Sequence, residues 1–427
     1  MRNLTKVLAC CALALAIMLS SLPDAFAQKK LVYYSFLGSF EFWHGWLNEM
    51  EKRFEASHPG VDFVRNDVAF DQSTNQYTVA HLGGNPPDIY HPSPGGMLAL
   101  QAIGALEPLE TLIPKSYWDQ VPEGLKQSMT VKGHIYGVEW FPGPILMYYN
   151  RNLLKQAGLN PDQPPQTWPE FEDAVMKICK LPKQGEAKIY GFALRSQRVP
   201  NSGQWAIPII YGFGGDLTTD GEVKLDTPPT RRAMQFLQNA AKGGCVPEGI
   251  STADTRALFA KGQAGFIFEG PWGQGNFLRL SDNKMKVAPN GDAWVADMPK
   301  GPDGKRRTIA NANVVSISSK SKEKQLAAEW MQWVTSDPAV VDMVFEATQL
   351  ISSPRSDRMT SGLMGKDAHT QVFRGGMAYS NDIPLADARF EGIMGEFIPA
   401  IQNIMKGADI AAELAQADRR IQRITSR

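Results

Sequence analysis

The segment Gly137–Asn150 reads GVEWFPGPILMYYN and divides the chain into two stretches with similar patterns of predicted strands and helices. Its first half is broken by Pro142, Gly143 and Pro144, and an apolar and aromatic run, Ile145–Tyr149, follows. Proline and glycine mark breaks between regular elements, whereas a short apolar run is typical of a buried strand. We therefore interpret this segment as the junction between two α/β series.

Upstream of the junction, predicted strands and helices alternate. Leu31–Phe36 (LVYYSF) has the pattern of a buried strand, and the next apolar residues recur at helical spacing until His58–Gly60. A second strand is predicted at 61–64, a second helix around Thr74–Leu82 and a third strand at Asp88–Tyr90. This order is typical of a parallel sheet with helices on its faces.

A second α/β series is predicted downstream. Thr167 and Glu170 form a capping box that opens a helix over 171–180. The remaining patterns are listed here: strands at 189–194, 264–269 and 312–318; a hairpin turn at 219–222; helices at 230–241, 252–261 and 322–334; and a largely helical tail from Ala386.

The N-terminus has the pattern of a cleavable export signal. Arg2 and Lys6 precede an apolar run, Val7–Leu19, that is shorter than the roughly 20 residues needed to span a bilayer. Ala25–Ala27 supplies small residues for cleavage. We expect residues 1–27 to be removed and the mature protein to be periplasmic.

Composition narrows the function classes. The chain has 44 basic and 44 acidic residues, and loss of Arg2, Lys6 and Asp24 leaves 42 and 43. This balance gives no electrostatic reason to expect nucleic acid or an anionic membrane as a partner. The length of 427 residues favours two lobes. The two remaining cysteines, Cys179 and Cys245, are equally compatible with a disulfide and with free thiols.

Local catalytic and metal-binding motifs are missing from the sequence. The six histidines form no HxxxH, HxH or His/Cys pair, and there is no Gly-x-Ser-x-Gly elbow, Walker loop or clear dinucleotide fingerprint. We therefore expect no metal, no cofactor and no catalytic residues built on a local motif; a catalytic site assembled from distant residues stays open at this point.

Aromatic residues at breaks stand out instead. In FIFEGPWGQGNF (266–277), Trp272 follows a Gly-Pro pair, and Trp43, Trp140 and Trp205 also lie beside breaks. Aromatic faces with a few polar neighbours suit sugars, whose C–H faces stack on indole. In α/β folds such sites gather at the carboxyl ends of strands.

Several stretches, taken in order, resemble one known family. They are FWHGW…EMEKRFEASHPGVDF, GNPPDIYH, GVEWFPGPILMYYNRNLLKQAGLNPDQPPQTWPEF, FAKGQAGFIFEGPWG, PKGPDGKRRT, ISSKSKEKQLAAEWMQWVTS and ISSPRS. The chain is similar to the extracellular solute-binding proteins of ABC transporters, in the sugar-binding, maltose-binding-protein-like group. The resemblance covers nearly all of the mature chain.

The resemblance implies an α/β, two-lobed periplasmic-binding-protein fold of type II, with central sheets flanked by helices and a hinge of several segments. It implies a monomer that binds a mono- or oligosaccharide between the lobes and delivers it to the transmembrane subunits of an ABC permease. The implied division is as follows: an N-terminal lobe of 28–140 plus 310–347, a C-terminal lobe of 144–306 plus 352–427, and crossovers near 141–143, 307–309 and 348–351.

Trp272 is the strongest single candidate for ligand contact. The resemblance implies that the tryptophan of Gly-Pro-Trp faces the cleft and stacks on a sugar ring; the alternative is packing under its own loop. Glu269 ends the preceding strand and is a candidate acceptor for sugar hydroxyls, with a salt bridge or a solvated charge as alternatives.

Most other candidates follow strands of the first lobe or lie near the crossovers, and Trp205 follows the polar loop RVPNSGQ. The first group is Trp43, His44, Asp71, Gln72, His91 and Ser93, and the second is Trp140, Phe141, Asn311, Asn313 and Arg355. Core packing is the alternative for Trp43 and Trp205, whereas a hinge role overlaps with the ligand role for Trp140 and Phe141. An interlobe ion pair is the alternative for Arg355, and a solvated loop for the polar residues after the strands.

Two other functions stay open. A phosphorylated polyol such as glycerol 3-phosphate would need cationic side chains in the cleft, and Arg195, Arg198 and Arg355 are candidates. A secreted glycosidase would need two facing carboxylates, which the sequence cannot show. The resemblance does not identify the sugar, because this sequence has FPGP and IANANVV at positions where relatives have other residues.

Overall fold

The computed structural model describes residues 29–69, 72–183, 185, 187–219, 222–381 and 389–425. The expected signal peptide at 1–27 and the expected ligand contact at Asp71 lie outside the described residues.

Strands and helices alternate along most of the described chain. The strands are β1 (Lys29–Ser35), β2 (Val61–Asp67), β3 (Ile89–Tyr90), β4 (Thr130–Val131), β5 (His134–Ile135), β6 (Val138–Phe141), β7 (Leu146–Asn150), β8 (Tyr190–Ala193), β9 (Thr218–Thr219), β10 (Glu222–Val223), β11 (Ala264–Glu269), β12 (Ala293–Ala296), β13 (Thr308–Ile309), β14 (Asn313–Ile317) and β15 (Ser380–Asn381). The α-helices are α1 (His44–Ser57), α2 (Ser73–Leu82), α3 (Pro94–Ala102), α4 (Lys115–Trp118), α5 (Glu123–Ser128), α6 (Arg151–Gln156), α7 (Trp168–Cys179), α8 (Pro200–Gly203), α9 (Ile207–Gly212), α10 (Pro228–Lys242), α11 (Thr252–Ala260), α12 (Gly273–Leu280), α13 (Lys324–Ser336), α14 (Pro338–Thr348), α15 (Ser356–Met359), α16 (Gly362–Lys366), α17 (Ala368–Met377), α18 (Phe390–Met405) and α19 (Ile410–Thr425).

The first sheet has the strand order β2-β1-β3-β14-β6. As predicted, β1 runs parallel to β2 and β3, whereas β14 enters from the distant part of the chain and runs antiparallel to β3 and β6. Helix α1 buries Trp46, Leu47, Met50 and Phe54 on one face, which is the predicted apolar stripe. We call this sheet, with its apolar core, the N-lobe.

The second sheet has the strand order β12-β7-β11-β8. Every residue of β7 and β11 is buried, as the apolar runs predicted. The capping box of Thr167 and Glu170 is present at the start of α7. A disulfide joins Cys179 at the end of α7 to Cys245 after α10, which answers the question that the sequence left open. We call this sheet, with its apolar core, the C-lobe.

The two lobes are joined by chain segments that lie side by side. The first runs from β6 to β7 and the second from β13 to β14, and they pair through Ile145 N–H to the Ile309 carbonyl at 2.9 Å and Asn311 N–H to the Gly143 carbonyl at 2.8 Å. Helix α14 contributes Val344 to the N-lobe core and Phe345 to the C-lobe core. The two-lobed α/β fold with flanking helices is thus confirmed.

Candidate ligand-binding site

Trp272 lies between the two lobes. It follows β11 through Gly270 and Pro271 and immediately precedes α12. Its half-buried side chain packs against the apolar cores of both lobes. Trp272 therefore contacts the apolar parts of both lobes at once.

Two glycines allow the indole ring its position. A Cβ atom at Gly143, in the first crossover, would lie 2.9 Å from the Trp272 ring and 3.1 Å from the Asn311 carbonyl oxygen. A Cβ atom at Gly270 would lie 2.3 Å from the same ring. Real Cβ atoms essentially never come within 3.0 Å of another atom, so any larger residue at either position would displace the ring or the crossover.

Glu269 ends β11 beneath Trp272 and is fully buried. One carboxylate oxygen, Oε2, accepts hydrogen bonds from Arg195 Nη2 at 2.9 Å and Arg256 Nε at 2.7 Å. The other, Oε1, accepts the Gly270 N–H at 3.2 Å and the indole N–H of Trp272. We call Glu269, Arg195 and Arg256 the Glu269 cluster. Its geometry supports the salt-bridge alternative for Glu269 rather than direct contact with sugar hydroxyls.

The charges of the Glu269 cluster perturb one another. Burial alone would raise the pKa of Glu269, but Arg256 and Arg195 outweigh it and hold that pKa below its ordinary value. Burial lowers the pKa of Arg195 to about 9, although Glu269 opposes the shift. The cluster thus sets two guanidinium groups against one buried carboxylate.

Trp205 belongs to the same neighbourhood but is packed in the C-lobe core. Its side chain is 1% exposed, and the Arg195 guanidinium carbon lies 3.6 Å from the centre of its ring. This burial favours the packing alternative for Trp205. Its contact with Arg195 still links it to Glu269 and, through Glu269, to Trp272.

A second buried contact supports the loop that carries Trp272. The Tyr148 hydroxyl lies 3.2 Å from the Gly270 carbonyl oxygen and 2.5 Å from His369 Nε2. Burial lowers the pKa of His369 to about 4, so the imidazole is neutral near pH 7. Tyr148 is fully buried, as its position in a predicted core strand implied.

Asn311 and Asn313 lie beside the crossovers with half-buried side chains. The backbone of Asn311 contacts Gly143, which also contacts the Trp272 ring, while Asn313 pairs with Phe141 between β14 and β6. In the part of the chain that the structure describes, neither side-chain amide has a hydrogen-bond partner. These amides are therefore candidates for polar contacts with a ligand.

His91, Trp140 and Phe141 pack together in the N-lobe. All three are at most 1% exposed, and the ring centres of His91 and Trp140 are 5.6 Å apart. His91 Nδ1 lies 2.5 Å from the Tyr33 hydroxyl, and burial lowers the pKa of His91 to about 3. This arrangement favours a packing role over the predicted ligand contact for these three residues.

The remaining N-lobe candidates follow β1, β2 and β3 and lie at the starts of the helices α1, α2 and α3. Trp43 and His44 are half-buried, and His44 Nε2 lies 2.7 Å from the Gly38 carbonyl oxygen. Gln72 is exposed, and the Ser93 hydroxyl accepts the Gly96 N–H at the start of α3. Among the described residues, no hydrogen bond or ring contact joins these four to Trp272, so their ligand roles stay predictions.

Arg355 is engaged in a local ion pair. Its guanidinium donates to both carboxylate oxygens of Asp357, at 3.0 and 2.9 Å, and lies 5.3 Å from the centre of the Tyr117 ring. Asp357 also accepts from Arg358 at 3.1 Å. The ion pair is thus local, not the interlobe pair that the sequence analysis considered. We call Asp357, Arg355 and Arg358 the Asp357 cluster.

Some contacts near Trp272 were not predicted from the sequence. The Asn276 side chain donates to the Trp272 carbonyl at 2.8 Å and accepts from Arg279 at 2.9 Å. The Arg279 guanidinium in turn lies 5.0 Å from the centre of the ring of Phe42, an N-lobe side chain that is 55% exposed. Helical spacing in α12 could have suggested the first contact, but no sequence signal joins Phe42 to Arg279.

The described residues contain neither a metal-binding cluster nor a membrane-spanning helix. No group of three or more His, Cys, Asp or Glu side chains there is arranged to hold a metal ion. None of the helices described is long and apolar enough to cross a membrane.

Comparisons with known proteins identify the family. A family model described as bacterial extracellular solute-binding protein matches residues 44–341. The sn-glycerol-3-phosphate-binding periplasmic protein UgpB of Brucella suis biovar 1 is 25% identical over 299 residues, which span 65% of this chain and 66% of that relative. The matched segment is thus slightly less than two thirds of the relative's length.

Solved structures share the fold over almost the whole chain. A solute-binding protein from Thermotoga lettingae bound with α-D-tagatose has a TM-score of 0.78 at 23% identity, covering 93% of this chain and 99% of that one. UgpB from Mycobacterium tuberculosis in complex with glycerophosphocholine has a TM-score of 0.76 at 19% identity, covering 93% and 98%. The family model shows that the chain belongs to the bacterial extracellular solute-binding proteins, the family that its sequence resembles, and the solved structures share its fold.

Proposed function

We propose that this protein is the extracytoplasmic, periplasmic binding component of an ABC sugar importer. It binds a mono- or oligosaccharide between its lobes as a monomer and delivers it to the transmembrane subunits of the permease. It performs no catalysis; incubation with oligosaccharides is expected to yield no cleavage products.

One observation carries this proposal. Trp272 packs against both apolar cores and remains half-buried, and its N–H is already engaged by Glu269. The ring face is then the part of the side chain left for a ligand, and an apolar face of this kind suits the C–H face of a sugar ring. The half-buried amides of Asn311 and Asn313 supply donors and acceptors for hydroxyl groups nearby.

The proposal includes movement of the lobes. We place the hinge at the crossovers near 141–143, 307–309 and 348–351, between an N-terminal lobe of 28–140 plus 310–347 and a C-terminal lobe of 144–306 plus 352–427. The paired backbones of the first two crossovers support this, because a few hydrogen-bonded segments can bend while each sheet stays intact.

A phosphorylated polyol is the second candidate ligand. Arg195 and Arg256 together outnumber the single carboxylate that they contact, so the region beneath Trp272 carries an excess positive charge. The similarity to UgpB proteins points the same way. Against it, Arg195 is 6% exposed and both arginines donate to Glu269, which leaves little of either guanidinium for a phosphate.

Thermal unfolding of residues 28–427 against a panel of mono- and oligosaccharides and sn-glycerol 3-phosphate tests the proposal. A ligand that binds only the folded state raises the melting temperature. A rise with a sugar and none with the phosphate ester supports the sugar function. A rise with sn-glycerol 3-phosphate alone would replace it with the second candidate, and no rise with any of them would contradict both.

A further inference from the structure

The Glu269 cluster is a costly arrangement for a protein interior. Glu269 is fully buried, and the side chains of Arg195 and Arg256 are 6% and 21% exposed. Moving such charges out of water costs free energy that their mutual attraction often fails to recover, so a buried ion cluster is weak evidence of stabilisation. Stabilisation of the fold therefore does not explain the cluster, and another role is needed to account for it.

Both oxygens of the Glu269 carboxylate are occupied. Oε2 accepts from two guanidinium groups, while Oε1 accepts from the backbone N–H of Gly270 and from the indole N–H of Trp272. With no exposed surface and four donors, this carboxylate has no capacity left for ligand hydroxyls. It acts on the site through Trp272.

We propose that Glu269 is a positioning residue for Trp272: Arg195 and Arg256 fix its carboxylate, and the carboxylate fixes the indole N–H and thereby the plane of the ring. The consequence for binding rests on the function proposed above. A ring that is already ordered loses less conformational freedom when a ligand covers it, which strengthens binding without any new contact.

This arrangement also limits what Trp272 can recognise. Its N–H is committed to Glu269, so the indole offers a ligand its face and no hydrogen-bond donor. The ligand group it selects is therefore a flat, C–H-rich face, such as one side of a pyranose ring, and polar selectivity falls to other residues.

The Asp357 cluster provides a matched control inside the same chain. It also consists of one carboxylate and two arginines, but Asp357 is 31% exposed and none of its hydrogen bonds reaches an indole in the described residues. Replacing each carboxylate by its amide removes the same charge from the same type of cluster. Only the change at Glu269 is expected to alter Trp272.

The test follows the indole N–H resonance of Trp272 by two-dimensional 1H–15N NMR of ligand-free protein, assigned by its loss in Trp272→Phe. In Glu269→Gln we expect the resonance to move upfield and its exchange with solvent to accelerate about 10-fold or more, because a charge-assisted hydrogen bond is lost. Asp357→Asn should leave both unchanged. An unchanged resonance and exchange rate in Glu269→Gln would overturn the proposal.

A second variant guards against misfolding of Glu269→Gln. Arg256→Gln keeps the carboxylate and its contact with Arg195 but removes one of the two clamping guanidinium groups. We expect the Trp272 resonance to move in the same direction by a smaller amount, and no movement would count against positioning. Because no ligand is used, this result is independent of the thermal-unfolding panel. A sugar can bind even if Glu269 does not position Trp272, and Glu269 can position Trp272 even if the protein binds no sugar.

Discussion

Trp140 and Trp272 both lie beside Pro- and Gly-containing breaks, but they differ in burial. Trp140 ends up fully buried in the N-lobe, with the rings of Trp46, Phe141 and Trp330 around it. Trp272 remains half-buried and touches both cores. The comparison teaches that a nearby break does not decide the role of a tryptophan; its tertiary neighbours do.

The indole N–H groups show the same contrast. Within the described residues, the N–H of Trp140 has no hydrogen-bond partner, whereas that of Trp272 is held by a buried carboxylate. Trp140 therefore contributes apolar area to one lobe at the cost of an unpaired donor. Trp272 has its donor satisfied and stays half-buried, which is compatible with the stacking role proposed for it.

The largest predicted effect is on the stability of the N-lobe. Trp140→Ala should lower the free energy of unfolding by about 3–5 kcal/mol, because it leaves a cavity among packed rings. Chemical denaturation followed by circular dichroism measures this. The folded fraction should keep its affinity for a panel sugar, and a selective loss of affinity with normal stability would reverse the roles given to the two tryptophans.

The next effect concerns binding. Trp272→Ala should weaken sugar binding by about 10-fold or more, because the apolar area covered by the ligand is lost, while the stability loss stays below that of Trp140→Ala. Isothermal titration calorimetry with the sugar identified by the panel measures the change. Trp272→Phe, which keeps an aromatic face, should bind with intermediate affinity.

Lowering the pH should reduce the free energy of unfolding, because His91 packs against Trp140 as a neutral, buried imidazole. Burial holds the pKa of His91 at about 3 in the folded protein, below the ordinary value near 6.5 of the unfolded chain. Below pH 6.5 the unfolded chain takes up a proton that the folded protein does not, so stability falls as the pH drops towards 3. The expected slope is about 1.4 kcal/mol per pH unit from this histidine.

Denaturation midpoints measured between pH 4 and 7 test this slope. His91→Phe should flatten the profile, leaving the part contributed by His369, whose pKa of about 4 acts with the same sign in the C-lobe. A profile that is equally steep in His91→Phe would show that His91 does not carry the effect.

The smallest predicted effect lies at the contact between Phe42 and Arg279. A cation over an exposed ring contributes about 0.5–1 kcal/mol, and this contact joins the two lobes next to the helix that follows Trp272. Arg279→Gln should therefore reduce sugar affinity about 2- to 5-fold by favouring separation of the lobes. Arg232→Gln removes a similar contact, with Phe213 inside the C-lobe, and should leave affinity unchanged.

The fold could be predicted from sequence because its signals are local. The buried strands β7 and β11, the stripe of α1 and the capping box at Thr167 all follow from neighbouring residues. The antiparallel entry of β14 into the first sheet could not, because it depends on pairing with strands about 175 or more residues away in sequence.

The candidate site was only partly accessible to such reasoning. Trp272 was singled out from its Gly-Pro context, but the roles of its neighbours depend on contacts between distant residues. Nothing local shows that Arg195 and Arg256 converge on Glu269, or that His91 lies against Trp140. Charge and aromaticity identified candidates; burial, which arises only in the folded chain, separated packing residues from those left facing solvent or ligand.

The most direct test of the account compares the two indole resonances during titration with a sugar. Trp140 and Trp272 are assigned in 1H–15N spectra by Trp140→Phe and Trp272→Phe, and the panel sugar is added to saturation. The account predicts that the Trp272 resonance shifts with sugar concentration while the Trp140 resonance stays in place. A shift of Trp140 with an unmoved Trp272 would contradict it.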